Sequence, residues 1–174
     1  MKKLFALMAL IAIPVLAGCG ASGSTTGNAG GGASAASQPA ESKAAEPKVG
    51  EPFTADMGGG NVAKITIVTA QFVDSVSTNQ FAPKPKSGKF LQMDVLWETE
   101  KGTTKANSLY FTVKDADGRK GDMELFGDGT LGSGDVPAGD KMRGFVNFDV
   151  APGPVTVTIT NPILQPAATI KIAP

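Results

Sequence analysis

Leu91-Gln92-Met93-Asp94-Val95-Leu96-Trp97-Glu98 carries an apolar side chain at every odd position and, except at Leu96, a polar one at every even position. Successive side chains of a β-strand point to opposite faces, so a period of two marks a strand with one face buried. The same period recurs on both sides of this stretch. Ile65 and Ile67 alternate with Lys64 and Thr66 in a run that reaches Phe72. Leu109, Phe111 and Val113 alternate with Tyr110, Thr112 and Lys114. Val146, Phe148 and Val150 alternate with Asn147 and Asp149, and Val155, Val157 and Ile159 with Thr156, Thr158 and Thr160. Ile170-Lys171-Ile172 closes the series. No convincing helical period interrupts it.

Turn chemistry separates these runs. Asp115-Ala116-Asp117-Gly118 is a hairpin-type turn, with Gly118 free to take positive φ. Pro137-Ala138-Gly139-Asp140 turns the chain before a strand, and Pro152-Gly153-Pro154 breaks two strands apart. Six or seven strands at this spacing predict an all-β fold: an immunoglobulin-like antiparallel β-sandwich of about seven strands, with Trp97 in its core. The chain has one cysteine, so no internal disulfide lies beside that tryptophan.

Outward from the strands, the composition changes twice. Residues 20–48 are Gly, Ala, Ser and Thr with a few polar residues, and contain no aromatic, Val, Ile, Leu or Met. Such a stretch cannot bury enough apolar area to offset its ordering entropy, so a disordered linker is expected. As a random coil it spans roughly 30 Å, and about 100 Å at full stretch. Before it, Met1-Lys2-Lys3 precedes an apolar run over residues 4–16. That run is too short for a spanning helix, which needs about 20 residues, and it has the order of a signal peptide. The expected organisation is therefore a leader over 1–18, a lipidated cysteine and tether over 19–48, and a sandwich domain over 49–174.

Leu16-Ala17-Gly18-Cys19 resembles the bacterial lipobox at all four positions. The resemblance implies that Leu16, Ala17 and Gly18 are read by the signal peptidase. It further implies that the Cys19 thiol receives diacylglycerol, and that the amine freed by cleavage is N-acylated. Two or three acyl chains, at about 0.8 kcal/mol per buried methylene, hold a protein durably at a membrane. A second resemblance lies in the domain. Gly88-Lys89-Phe90-Leu91-Gln92-Met93-Asp94-Val95 and Val113-Lys114-Asp115-Ala116-Asp117-Gly118 resemble a strand and the central hairpin of a bacterial family of telokin-like extracellular domains of unknown function. Its most specific piece is Val136-Pro137-Ala138-Gly139-Asp140, then Gly144, then Val146-Asn147-Phe148-Asp149-Val150. The same order is similar to the small secreted immunogenic antigens of mycobacteria. The resemblance covers most of residues 50–172 and implies an immunoglobulin-like fold and an extracytoplasmic location, with no catalytic residue to carry over.

Composition narrows the chemistry. The chain has no histidine, which removes Ser-His and Cys-His nucleophile pairs, imidazole proton shuttles and ordinary catalytic zinc sites. Neither a GxSxG elbow nor an SxxK pair occurs. Sixteen basic and sixteen acidic residues balance, and without the lysines of the leader and linker the domain is slightly acidic, so nucleic acid is not an expected partner. The reading is a non-enzyme without resident cofactor.

Two segments are candidate contact sites. The glycine- and carboxylate-rich stretch 122–140, with Asp122, Asp128 and Asp135, could fold oxygens around calcium or a small ligand. Its part 127–139 reads as a mobile loop. Asp115-Ala116-Asp117-Gly118 begins like an EF-hand but continues with Arg119 and Lys120, so it is read as a turn. Gly127-Asp128-Gly129-Thr130-Leu131-Gly132 spells GxGxxG but is followed by Ser133-Gly134-Asp135-Val136-Pro137, which cannot start the helix a dinucleotide fingerprint needs. Opposite in sign, Lys84, Lys86 and Lys89, stiffened by Pro83 and Pro85, could contact anionic lipid heads or an envelope polymer. The expected function is a lipid-anchored, extracytoplasmic binding domain for a protein or envelope polymer. A calcium or small-ligand receptor is the alternative.

Overall fold

A computed structural model describes residues 46–173 of the chain. The expected leader, Cys19 with its lipobox, and nearly all of the tether lie outside the described residues. Ten strands run through the described part: β1 (Phe53–Gly58), β2 (Asn61–Val73), β3 (Lys89–Lys101), β4 (Thr103–Ala106), β5 (Phe111–Asp115), β6 (Asp122–Glu124), β7 (Gly134–Pro137), β8 (Lys141–Val150), β9 (Val155–Thr160) and β10 (Pro166–Ile172). They form a five-stranded sheet in the order β1-β2-β3-β8-β6, a three-stranded sheet β10-β9-β5, and a two-stranded ribbon β4-β7. All pairings between these strands are antiparallel. This is the expected all-β sandwich. Its count exceeds seven because β4, β6 and β7 are short strands without a distinct alternation, and because β1, whose Phe53, Ala55 and Met57 alternate with Thr54 and Asp56, is not among the expected runs.

The core forms where the odd positions of β3 meet the three-stranded sheet. Leu91, Met93, Val95 and Trp97 are buried with Ile65, Ile67, Val146 and Phe148 from their own sheet, and with Phe111, Val113, Val157, Ile159 and Ile170 from the other. A fully buried side chain of this size contributes roughly 1.5–3 kcal/mol relative to exposure. Trp97 and Phe111 meet edge to face across the layers, with ring centroids 6.5 Å apart.

The three expected turns are present. Gly118 (φ +81°) donates its N–H to the Asp115 carbonyl, Asp140 donates to the Pro137 carbonyl, and Gly153 (φ +139°) separates β8 from β9. Two expectations fail. Leu109 does not begin a strand: Ser108–Tyr110 is a 3-10 turn, started by the Asn107 side chain accepting from the Leu109 N–H, and Leu109 is 60% exposed. Asn107 competes for the backbone as a cap, so the strand begins two residues late, at Phe111. The stretch 127–139 is no free loop either. Gly129 and Leu131 bond to Phe145 of β8 on both sides, Leu131 is buried in the core at 2% exposure, and residues 134–137 are β7.

The long connection 74–88, between β2 and β3, crosses the outer face of the five-stranded sheet. Beneath it the alternation of β8 stops separating inside from outside. Val146, Asn147, Phe148, Asp149 and Val150 are all buried.

Candidate functional site

The candidate lysine segment and one end of the candidate acidic segment face each other across a cleft of about 270 Å³. Lys84 and Lys86, on the 74–88 connection, stand on one side. Asp122 and Glu124 of β6, then Leu125 and Phe126, stand on the other. Phe90 and Asp149 also line it. β6 reaches this position by pairing with the end of β8, in the register Asp122↔Asp149, Met123↔Phe148 and Glu124↔Asn147. It is the edge strand of its sheet.

Two carboxylates fix the connection above the sheet. Asp149 accepts from the N–H groups of Lys86 (2.6 Å) and Ser87 (2.9 Å). Asp128 accepts from the Thr78 N–H (2.6 Å), the Thr78 hydroxyl (2.9 Å) and the Ser77 hydroxyl (2.9 Å). The Thr78 backbone bond, followed by the two hydroxyls, holds the Asp128 carboxyl below the usual carboxylate range. Charge-assisted bonds of this kind are short and strong for their number.

The six residues named as contact candidates therefore separate. Lys84, Lys86 and Asp122 meet in the cleft. Lys89 begins β3 and pairs with Asp74 at 2.7 Å. Asp128 holds the connection, and Asp135 sits on β7 opposite Lys105, at 3.4 Å from its ammonium. Asp122, Asp128 and Asp135 thus lie in three different settings. Among the described residues, no three acidic, histidine or cysteine side chains converge to hold a metal ion.

Sequence reasoning missed the apolar half of the cleft. Phe126, 79% exposed, and Leu125, half exposed, line it. Two adjacent exposed apolar side chains flanked by charges of both signs suit contact with another macromolecule more than water. Asp149 and Asn147 were missed too, because alternation assigns both to a solvent face. The available signal was a carboxylate and an amide within a run of three bulky apolar residues.

A larger open cavity, about 540 Å³, lies where the edge strands β1 and β10 approach, lined by Glu46, Pro47, Phe53, Lys64, Ala167 and Ala168 among others. None of the six contact candidates is there, and Lys64 already pairs with Glu98. The smaller cleft is the better candidate, since two lysines without an ion pair among the described residues, three carboxylates and two exposed apolar side chains converge on it.

No helix among the described residues is long and apolar enough to cross a membrane. No family profile matches the sequence, and no curated protein matches it. Solved structures do. The chain is similar to the secreted protein MPT63 of Mycobacterium tuberculosis, with a TM-score of 0.57 and 18% identity over 73% of this chain and 96% of that one. It is similar to the candidate lipoprotein ycdA of Bacillus subtilis, with a TM-score of 0.55 and 16% identity over 70% of this chain but only 38% of that one. The yjhA protein of Bacillus subtilis matches with a TM-score of 0.52 and 16% identity over 72% of this chain and 97% of that one. At these identities the likeness establishes the shared sandwich fold.

Proposed function

We propose that the chain is a lipid-anchored, non-enzymatic protein of the cell envelope. Its β-sandwich stands on a flexible tether at the extracytoplasmic side of the membrane and binds a protein or envelope polymer. The observation that carries the anchor is Leu16-Ala17-Gly18-Cys19: the chain's one cysteine stands at the last position of a four-residue lipobox, behind a leader of matching length. A secreted protein and a candidate lipoprotein among the structures of like fold support the location. The contact surface of this reading is the cleft between Lys84 and Lys86 on one side and Asp122, Glu124, Leu125 and Phe126 on the other.

Replacing Cys19 with serine tests the anchor. The wild-type chain is expected in the membrane fraction and in the detergent phase, and the Cys19→Ser chain in neither. Equal partitioning of the two would overturn the lipid anchor. A photo-crosslinking residue at position 126 tests the surface. It is expected to trap a partner in cells that the same group at exposed Thr169, beside the other cavity, does not.

A further inference from the structure

Residues 74–88 form a strap that covers much but binds through little. Of its fifteen residues only Val76 is buried, and Phe81 points its ring into solvent. Apart from Val76, and Phe90 of β3, which is buried on the face beside Pro83, Lys84 and Lys86, what holds the strap is polar: the three bonds to Asp128, the two to Asp149, and the Asp128 N–H on the Val76 carbonyl at 2.8 Å. These bonds fall near its two ends. Its last residue, Gly88, has φ +117°, a conformation open to glycine and rarely to other residues. Few buried apolar contacts and a glycine joint are the marks of a segment that opens below the free energy of global unfolding.

The face beneath the strap is not indifferent to being covered. Asn147 is 1% exposed, and among the described residues neither its Nδ2 nor its Oδ1 has a hydrogen-bond partner. Gly127 lies so close that a Cβ there would stand 2.5 Å from Asn147 Nδ2, so the amide is boxed in between Gly127, the strap and the sheet. The amide shares its row of the sheet with Gln92 on β3 and Glu124 on β6, and Gln71 of β2 continues that row. A buried amide with both ends unpaired disfavours the covered state, and water reaching it from the neighbouring cleft would relieve that penalty.

We propose that the strap is a hinged cover. It opens as one unit, about Gly88 and the end of β2, while both sheets stay folded, and it converts the cleft into a longer polar groove floored by Gln92, Asn147 and Glu124. Asp128 and Asp149 are its two latches, coupled through the strap although they grip opposite ends of it. The proposal goes beyond the anchored-lipoprotein reading and does not depend on lipid attachment.

Amide hydrogen exchange on the soluble chain from residue 20 onward tests it, under conditions where closing outpaces exchange. Asp128→Asn weakens one latch only. The expected result is that the Thr78 amide and the distant Lys86 and Ser87 amides all exchange about tenfold faster or more, with β3 and β8 interior amides unchanged. Acceleration confined to Thr78 would show two independent ends and overturn the cover. Equal acceleration throughout β3 and β8 would show that the strap opens only with the whole domain, and would overturn it too. Asn147→Leu, close in shape and without polar atoms, is expected to slow exchange at Lys86 and Ser87 severalfold. Faster exchange in that variant would mean that the amide secures the covered state, against the proposal.

Discussion

Trp97 donates its indole N–H to the hydroxyl of Thr104, 2.8 Å away, in the interior of the sandwich. Thr104 Oγ1 lies 2.5 Å from Thr99 Oγ1, and Thr99 donates to the Val136 carbonyl at 2.8 Å. Donor counting fixes the direction of the chain. The indole can only donate and the carbonyl only accept, so Thr104 must give its one proton to Thr99. Three residues from β3 and β4 are thereby bound to β7. This network ties the two-stranded ribbon to the main sheet.

Thr104→Val keeps the shape and removes the relay. It leaves the Trp97 N–H unpaired inside the core, a loss of about 1–3 kcal/mol. Chemical denaturation is expected to show a lower midpoint with an unchanged slope. Thr104→Ser, which keeps the hydroxyl, should recover the hydrogen-bond part of the loss and forfeit only the packing of a methyl.

Gly144 marks where the glycine-rich segment meets the sheet. A Cβ built on it would lie 2.5 Å from Leu131 Cα and 2.6 Å from Leu131 N, both backbone atoms that cannot step aside alone. Gly144→Ala should therefore displace the 129–131 segment and partly expose Leu131, at about 1–3 kcal/mol. Gly132, three residues from Gly129, is the control. A Cβ there meets nothing nearer than the Met142 sulfur at 3.7 Å, so Gly132→Ala is expected to change the melting midpoint little. Equal midpoints for the two variants would contradict the close approach seen at Gly144.

These two relationships also measure how far the sequence could be read. Alternation at Leu91 through Trp97 was legible because β3 is central in its sheet and one of its faces meets the core. The turns at Gly118, Gly139 and Gly153 were legible because their backbone angles select glycine. β4 and β7 were not, since their stabilising partner is each other, and the threonine relay that seats them has no local pattern. The covered face was hidden for a related reason. Asn147 and Asp149 obey the period of a surface strand, and only distant segments make them interior: the strap, bonded to Asp149 across more than sixty residues, and Gly127, close against Asn147. The cleft followed from that same long-range contact: its lysines and acids were each visible, and their meeting was not.

Acid should weaken the outer face of the five-stranded sheet through Asp94. Its carboxylate takes both a 2.9 Å bond from Arg143 Nε and a 2.6 Å bond from Arg143 Nη2. The Arg143 hydrogen bonds, aided by its charge and opposed by partial desolvation, hold the Asp94 pKa below its ordinary 3.8. A group whose folded pKa is depressed binds protons more readily when unfolded, so its contribution to stability is complete above the unfolded value. That contribution disappears as pH falls through the lower, folded value. Asp128 acts in the same direction through Thr78 and Ser77. Stability is therefore expected to hold from neutral pH down to about pH 5 and to fall below about pH 4. Asp94→Asn should cost stability at pH 7 and show a shallower acid decline than the wild type. Urea midpoints at pH 7 and pH 3 decide the matter: parallel declines in the two proteins would mean that the Asp94–Arg143 pair does not govern the acid limb. At high salt the difference at pH 7 should shrink, because Arg143 is largely exposed and its field is screened.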